Sequence, residues 1–247
     1  HYLPTVHDFN FSLNQCSPDD IIRLIKSLKL GKSSGPNSIP IHLLKDLSNT
    51  LSQPLSFLFN LSLSQGVFPD AFKAAKVIPI FKSGERTSLN NYRPISLLSN
   101  LGKILEKIVH IQLNDFFENN DLLYKLQFGF RLKTSTNHSL INIVDKIQTN
   151  LDKGLLSCGV FVDLQKAFDT VDHSILLKKL EHYGVRGNSL KWFQSYLTER
   201  KQLVHVNNFS SDTEFVNDGV PQGSVLGPLL FKIIINILHC AIPNSTV

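Results

Sequence analysis

Ser157–His173, SCGVFVDLQKAFDTVDH, is the stretch on which the reading of the fold turns. Val160, Phe161 and Val162 make an apolar run of the kind found in a buried strand. The run delivers Asp163 at its end and passes through Ala167, Phe168 and Asp169 toward a helix. An unpaired carboxylate is costly to bury unless something cationic meets it, so Asp163 needs an explanation beyond folding. A strand-end aspartate is commonly a helix cap or a turn residue, and Asp169 and Asp172 read as caps; the other reading of Asp163 is a ligand for a hard cation.

On the N-terminal side, the spacing predicts a helix from about Thr136 to Asp152, preceded by QFGFRLKTSTNHS from Gln127. There Phe128, Phe130 and Arg131 mix aromatic faces with positive charge around Gly129. That combination suits stacking on a nucleic-acid strand, with core aromatics as the alternative. Further back, Ser99–Phe117 reads as an amphipathic helix with Ile104, Leu105, Ile108, Ile111 and Leu113 facing inward. Lys76–Lys82 reads as a strand, with Ser83-Gly84-Glu85 turning it toward a returning strand near Tyr92 and Pro94. Such a hairpin would gather Lys76, Lys82, Arg86 and Arg93 into a phosphate clamp. An edge hairpin guarded by lysines and prolines is the other reading.

Nearer the N-terminus, Ser17-Pro18-Asp19-Asp20 opens a helix that Gly31 stops. The loop GKSSGPNSIP that follows carries Lys32 and lacks the glycine spacings of a P-loop or a dinucleotide fingerprint. Further helices begin near Pro40 and run from about Pro54 to Gln65. On the C-terminal side of the opening stretch, Ser174–Tyr183 and Ser189–Leu197 read as helices, with Trp192, Phe193 and Tyr196 in the core. A hairpin of Lys201–Asn207 and Thr213–Asp218 follows, and then GVPQGSVLGPLLF, whose glycines let backbone approach a ligand closely before an apolar helix.

Composition narrows the chemistry. The net charge is +5, and residues 1–157 hold 17 Lys/Arg against 12 Asp/Glu while 158–247 hold 8 against 8. The whole excess therefore lies in the first part, where a polyanion would be drawn; a merely solvated basic face is the other reading. Cys16, Cys158 and Cys240 fall in no metal-ligand spacing, which argues for a reducing, intracellular compartment and against zinc. The apolar run Val225–Ile242 carries Lys232 near its middle. A central Lys costs about 2.5 to 3.5 kcal/mol in a membrane, so a buried helix is expected and no membrane partner. Carboxylates at strand ends, a basic hairpin and a glycine-rich loop before a helix are the parts a nucleotidyl transferase needs.

The ordered set AKVIPIFKSG, NYRPISLLSNLGKILEKI, QFGFR, FVDLQKAFDTVDH and GVPQGSVLGPLLF closely resembles the reverse transcriptase domain of non-LTR retrotransposons, particularly the jockey-like group, from about Ser17 to about Leu238. The resemblance implies an α+β right-hand polymerase fold. Residues 1–157 would be an N-terminal extension and helix-rich fingers, and 158–247 a partial palm with antiparallel strands, without a thumb. It implies RNA-directed DNA synthesis from an RNA template, a DNA primer and deoxynucleoside triphosphates with two Mg²⁺ ions, or Mn²⁺ in their place, and no redox cofactor. Action in the nucleus is compatible with this.

Asp163 matches the family's first metal-binding aspartate, with Val162 offering a backbone carbonyl. Phe168 matches the ring under the incoming sugar, which excludes a 2′-hydroxyl. Lys82 and Arg93 fall in motifs that contact the triphosphate, and Gln222 and Gly223 in the one that positions template and nucleotide. Lys76, Arg86, Phe130 and Arg131 are the expected nucleic-acid contacts. The family's aromatic-Ala-Asp-Asp motif would be expected just past Val247, so the 247 residues alone are expected not to extend a primer. Ile234 and Ile237 stand where Tyr and Asp are common.

Overall fold

The computed structural model describes residues 9–31, 33–36, 38–131 and 134–241; Lys32, singled out above, lies outside them. Ala74–Phe81 (β1) and Tyr92–Leu97 (β2) form the expected antiparallel hairpin, with Lys76 opposite Leu97 and Phe81 opposite Tyr92. Arg200–Val206 (β3) then lies parallel to β1, from Ala74 opposite Lys201 to Val77 opposite Val204. β1 carries Pro79 although it lies between two strands, because β3 pairs only as far as Val77 and leaves that side of Pro79 free of any demand for an N–H. Phe209–Ser210 (β4) and Glu214–Val216 (β5) both pair antiparallel with β3. Asn207 and Asn208 make the β3–β4 turn at φ +47° and +69°, a conformation asparagine tolerates. The sheet is therefore mixed, and it joins strands from both sides of residue 157.

Eight α-helices complete the described residues. Pro18–Ser27 (α1) starts with a reciprocal capping box between Ser17 and Asp20 and ends at Leu28, short of Gly31. Ile41–Asp46 (α2) leads almost directly into Ser48–Gln65 (α3), which begins earlier than the sequence predicts, takes Pro54 into its interior, and ends on left-handed Gly66. Asn100–Asn119 (α4) buries Ile104, Leu105, Ile108 and Leu113, whereas Ile111 is 40% exposed. Thr136–Asp152 (α5) matches its predicted span. His173–His182 (α6), Gly187–Leu197 (α7) and Gly227–Ile235 (α8) follow. Asp172 caps α6 as expected, its carboxylate accepting from the Ile175 N–H. No helix among the described residues is long and apolar enough to cross a membrane.

One hydrophobic cluster draws on α1, α3, α4, α6, α7 and α8. Trp192 stacks on Tyr196 with ring centroids 5.7 Å apart, and Phe68 meets both rings edge-on. The predicted core aromatics are thus in place.

The opening stretch is where structure and expectation part. Val160, Phe161 and Val162 form no strand and are 83%, 91% and 73% exposed. A strand exists only where a neighbour takes its N–H and C=O groups, and none of β1 to β5 lies beside this segment. α5, which leads into it, has no buried residue.

Candidate nucleotide and nucleic-acid site

Phe168–His173 and the glycine-rich loop at Gly219 are sewn together backbone to backbone. Val220 N–H donates to the Phe168 carbonyl at 2.8 Å and Gly219 N–H to that of Val171 at 2.8 Å. The His173 ring meets the Gly219 carbonyl at 2.7 Å. Gly219 needs to be glycine: at φ +83° a Cβ would stand 2.7 Å from the Asp169 carbonyl oxygen. Gln222 Nε2 donates to both Asp169 carboxylate oxygens at 3.1 Å, so Asp169 is not the cap predicted for it but the anchor of Gln222.

The same loop closes the free edge of β2. Ser96 N–H donates to the Gln222 carbonyl at 2.7 Å, and at Gly223, φ +126°, a Cβ would lie 2.5 Å from the Ser96 carbonyl oxygen. Beneath, the buried Glu106 of α4 accepts from the Val225 and Leu226 N–H groups at 2.7 and 3.1 Å, just before α8 begins. Burial pushes the Glu106 carboxyl up, while Arg200 and the two amides favour its charged form. Three segments far apart in sequence, around Ser96, Asp169 and Glu106, therefore meet on the one loop that carries Gln222.

Next to this junction lies an aromatic stack. The half-buried Phe168 ring stacks on Phe231 of α8, centroids 5.1 Å apart, and meets Phe130 edge-on at 6.0 Å. Phe130 is 56% exposed and sits at φ +55°. A bulky residue occupies that region only under constraint, at a cost of about 1 to 3 kcal/mol.

The constraint is polar. Arg131 grips the Glu118 carboxylate through Nε and Nη2 at 2.8 to 3.2 Å and reaches the Tyr124 carbonyl. Lys232, fully buried, donates to Asn114 Oδ1 at 3.3 Å and to the Phe130 carbonyl at 3.4 Å, with Glu118 at 4.0 Å. Burial lowers the Lys232 pKa and Glu118 opposes that shift. The Arg131 guanidinium is thus turned inward onto Glu118, with 19% of the side chain exposed.

The basic hairpin does not gather its four cations in one place. Lys82, Arg86 and Arg93 are exposed at its tip, whereas Lys76 is half-buried at its base. At about 3.4 Å per residue the interval from Lys76 to Lys82 is about 20 Å. Register separates the tip further. Arg93 is opposite Ile80, while the Arg86 guanidinium lies 5.1 Å from the ring of Phe81, which belongs to the alternate face. Asp163 and Val162 stand in the exposed coil after α5.

A family profile described as "Reverse transcriptase (RNA-dependent DNA polymerase)" matches residues 80–246, more than half of the chain. The chain belongs to the reverse transcriptase family. It is 36% identical over 234 residues, 92% of its length, to the "Probable RNA-directed DNA polymerase from transposon BS" of Drosophila melanogaster. It is 34% identical over 94% of its length to the "RNA-directed DNA polymerase from mobile element jockey" of the same fly. In both comparisons the chain spans 25% of the relative's length.

Reverse transcriptases generally use a divalent metal. Asp163 and the Val162 carbonyl are hard oxygen donors of the kind magnesium takes. Among the described residues, however, no group of three or more His, Cys, Asp or Glu side chains gathers to hold an ion. The Asp169 carboxylate is engaged by Gln222. The donors among the described residues do not make up a two-ion site.

Sequence reasoning missed Glu106, Lys232 and the role of Asp169 in this reverse transcriptase segment. A signal existed for two of them. Glu106 lies between Leu105 and Ile108 on the apolar side of its helix, and Lys232 interrupts an apolar run; both are charges where burial was expected, and buried charges need partners.

Proposed function

We propose that this chain forms the fingers, residues 1–157, and the first part of the palm, 158–247, of the RNA-directed DNA polymerase of a non-LTR retrotransposon. The observation that carries this reading is the junction at which Gln222 is held between the Asp169 carboxylate and the edge of β2, beside the Phe168 ring. A nucleotide bound there would have its base end toward Gln222 and Gly223 and its sugar over Phe168. The triphosphate would face the end of β2 that presents Arg93, with Lys82 beside it at the hairpin tip. Exposed guanidinium and ammonium groups bind a phosphate chain through charge-assisted hydrogen bonds. The template, an RNA, and the DNA primer would run over the basic first part, with Lys76, Arg86 and Phe130 within its reach. Asp163, with the Val162 carbonyl, would offer one carboxylate to the divalent metal.

Primer extension on an RNA template tests this, using a polypeptide that carries the chain within its full reading frame. Asp163→Ala should abolish incorporation of deoxynucleotides and leave template binding largely intact; unchanged incorporation would remove Asp163 from the site. A second reading, RNA binding by the basic segment alone, draws on the exposure of Lys82, Arg86 and Arg93. It requires a salt-dependent RNA affinity that falls when Lys82 or Arg93 is replaced, with no extension activity to lose.

A further inference from the structure

We propose that Phe130 is a positioning residue for the choice of deoxyribose over ribose: the Glu118–Arg131–Lys232 cluster holds its ring against Phe168 and so sets where the Phe168 ring stands. The inference rests on the reading of Phe168 as the ring that faces the incoming sugar. A ring that rejects a single hydroxyl must be held to a fraction of an ångström, because the two sugars differ by one oxygen atom.

Regular structure does not hold it. Phe168 lies in an irregular turn between the exposed coil and α6, and Lys166, two residues earlier, is at φ +52°. Its backbone is tied to Val220, and its ring, packed at the margin of the hydrophobic cluster, meets two other rings among the described residues: Phe231 stacked at 5.1 Å and Phe130 edge-on at 6.0 Å.

Phe231 comes from a buried helix and is set by the core. Phe130 is not set that way. It is 56% exposed, so burial does not keep it there, and its backbone is in a region that disfavours a bulky residue. Polar ties keep it. Lys232 donates to the Phe130 carbonyl, Arg131 grips Glu118 with two nitrogens, and the single Thr134 hydroxyl proton is shared between the carbonyls of Phe128 and Arg131, 2.7 and 3.0 Å from Oγ1.

A helix as apolar as α8 would fold without burying an ammonium group, and burying one is costly. The strained backbone and the buried cation converge on one loop, and the ring that this loop presents touches Phe168.

The test is equilibrium binding of radiolabelled dATP and ATP, with Mg²⁺ and a chain-terminated primer on an RNA template, to a polypeptide that carries the chain within its full reading frame. The unsubstituted chain should favour dATP by about tenfold or more, and Phe130→Leu and Lys232→Met should each cut that preference at least about fivefold, in the range expected for contacts with one sugar hydroxyl. Phe130→Tyr, which keeps the ring, should retain it; a merely structural role would lower both affinities together and leave their ratio alone. Phe168→Val separates the two levels of the argument. If it removes the preference while Phe130→Leu and Lys232→Met keep it, the brace is overturned and the reading of Phe168 stands. If the unsubstituted chain shows no preference, or Phe168→Val leaves it unchanged, the reading of Phe168 fails and the brace fails with it. Should Phe130→Leu not fold, the Lys232→Met ratio decides.

Discussion

The junction around Gln222 and the segment from α5 to Leu164 carry sequence motifs of equal clarity, and the fold treats them in opposite ways. At the junction, Ser96, Asp169, Val220 and Glu106 meet through short hydrogen bonds over a buried core. In the other region, α5 buries nothing, and Val160, Phe161 and Val162 face solvent although they are as apolar as core residues. The difference teaches that apolar character specifies a wish for burial, whereas burial itself needs a partner at the right place.

Substitution on each side of this comparison should give the largest contrast. Phe193 is fully buried, and Phe193→Ala should cost about 3 to 5 kcal/mol in urea unfolding. Phe161→Ala should stay within about 0.5 kcal/mol. Similar costs for the two would show that Phe161 is covered in solution and would erase the distinction.

Within the junction, Glu106→Ala leaves the Val225 and Leu226 N–H groups without their acceptor and Arg200 without the nearby negative charge. It should destabilise by about 3 kcal/mol, with Glu106→Gln milder because one acceptor oxygen remains. An effect below about 1 kcal/mol would mean that the loop before α8 does not depend on Glu106.

The smallest effect concerns pH. Burial, reinforced by Lys107 and Lys232, depresses the His110 imidazole to about 4. The unfolded chain takes up that proton below about pH 6.5, so between these values the unfolded state binds more protons and stability falls as pH is lowered. The urea midpoint should therefore drop from pH 7 to pH 5 by more in the unsubstituted chain than in His110→Gln. An equal drop would place the His110 ring in solvent.

Much of the helical framework was legible. Ser17 caps α1, Asp172 caps α6, and Trp192 and Tyr196 lie in the core, all as expected. These features are local, set by residues within a turn or two of one another. The parallel pairing of β1 with β3 was not legible, because it joins residues more than a hundred positions apart and nothing in either strand names its neighbour. The site divides in the same way. Gln222, Gly223 and Phe168 stand near one another, but Asp169 was read as a local cap while its partner lies 53 residues away. Arg131 was read as a free cation because Glu118 is 13 positions distant.

The sequence by itself determined the family, most of the helices, the hairpin of β1 and β2, and which residues match the family's motifs. Periodicity, capping and ordered motifs are written along the chain and need no partner to be read. Only the tertiary structure decided which of those residues meet. It sent Gln222 to Asp169, Glu106 beneath the loop before α8, and Lys232 to the carbonyl of Phe130, and it left the segment at Asp163 in solvent. The physical reason is that a buried charge, a strained residue or a strand is stable only in company, and the company comes from elsewhere in the chain.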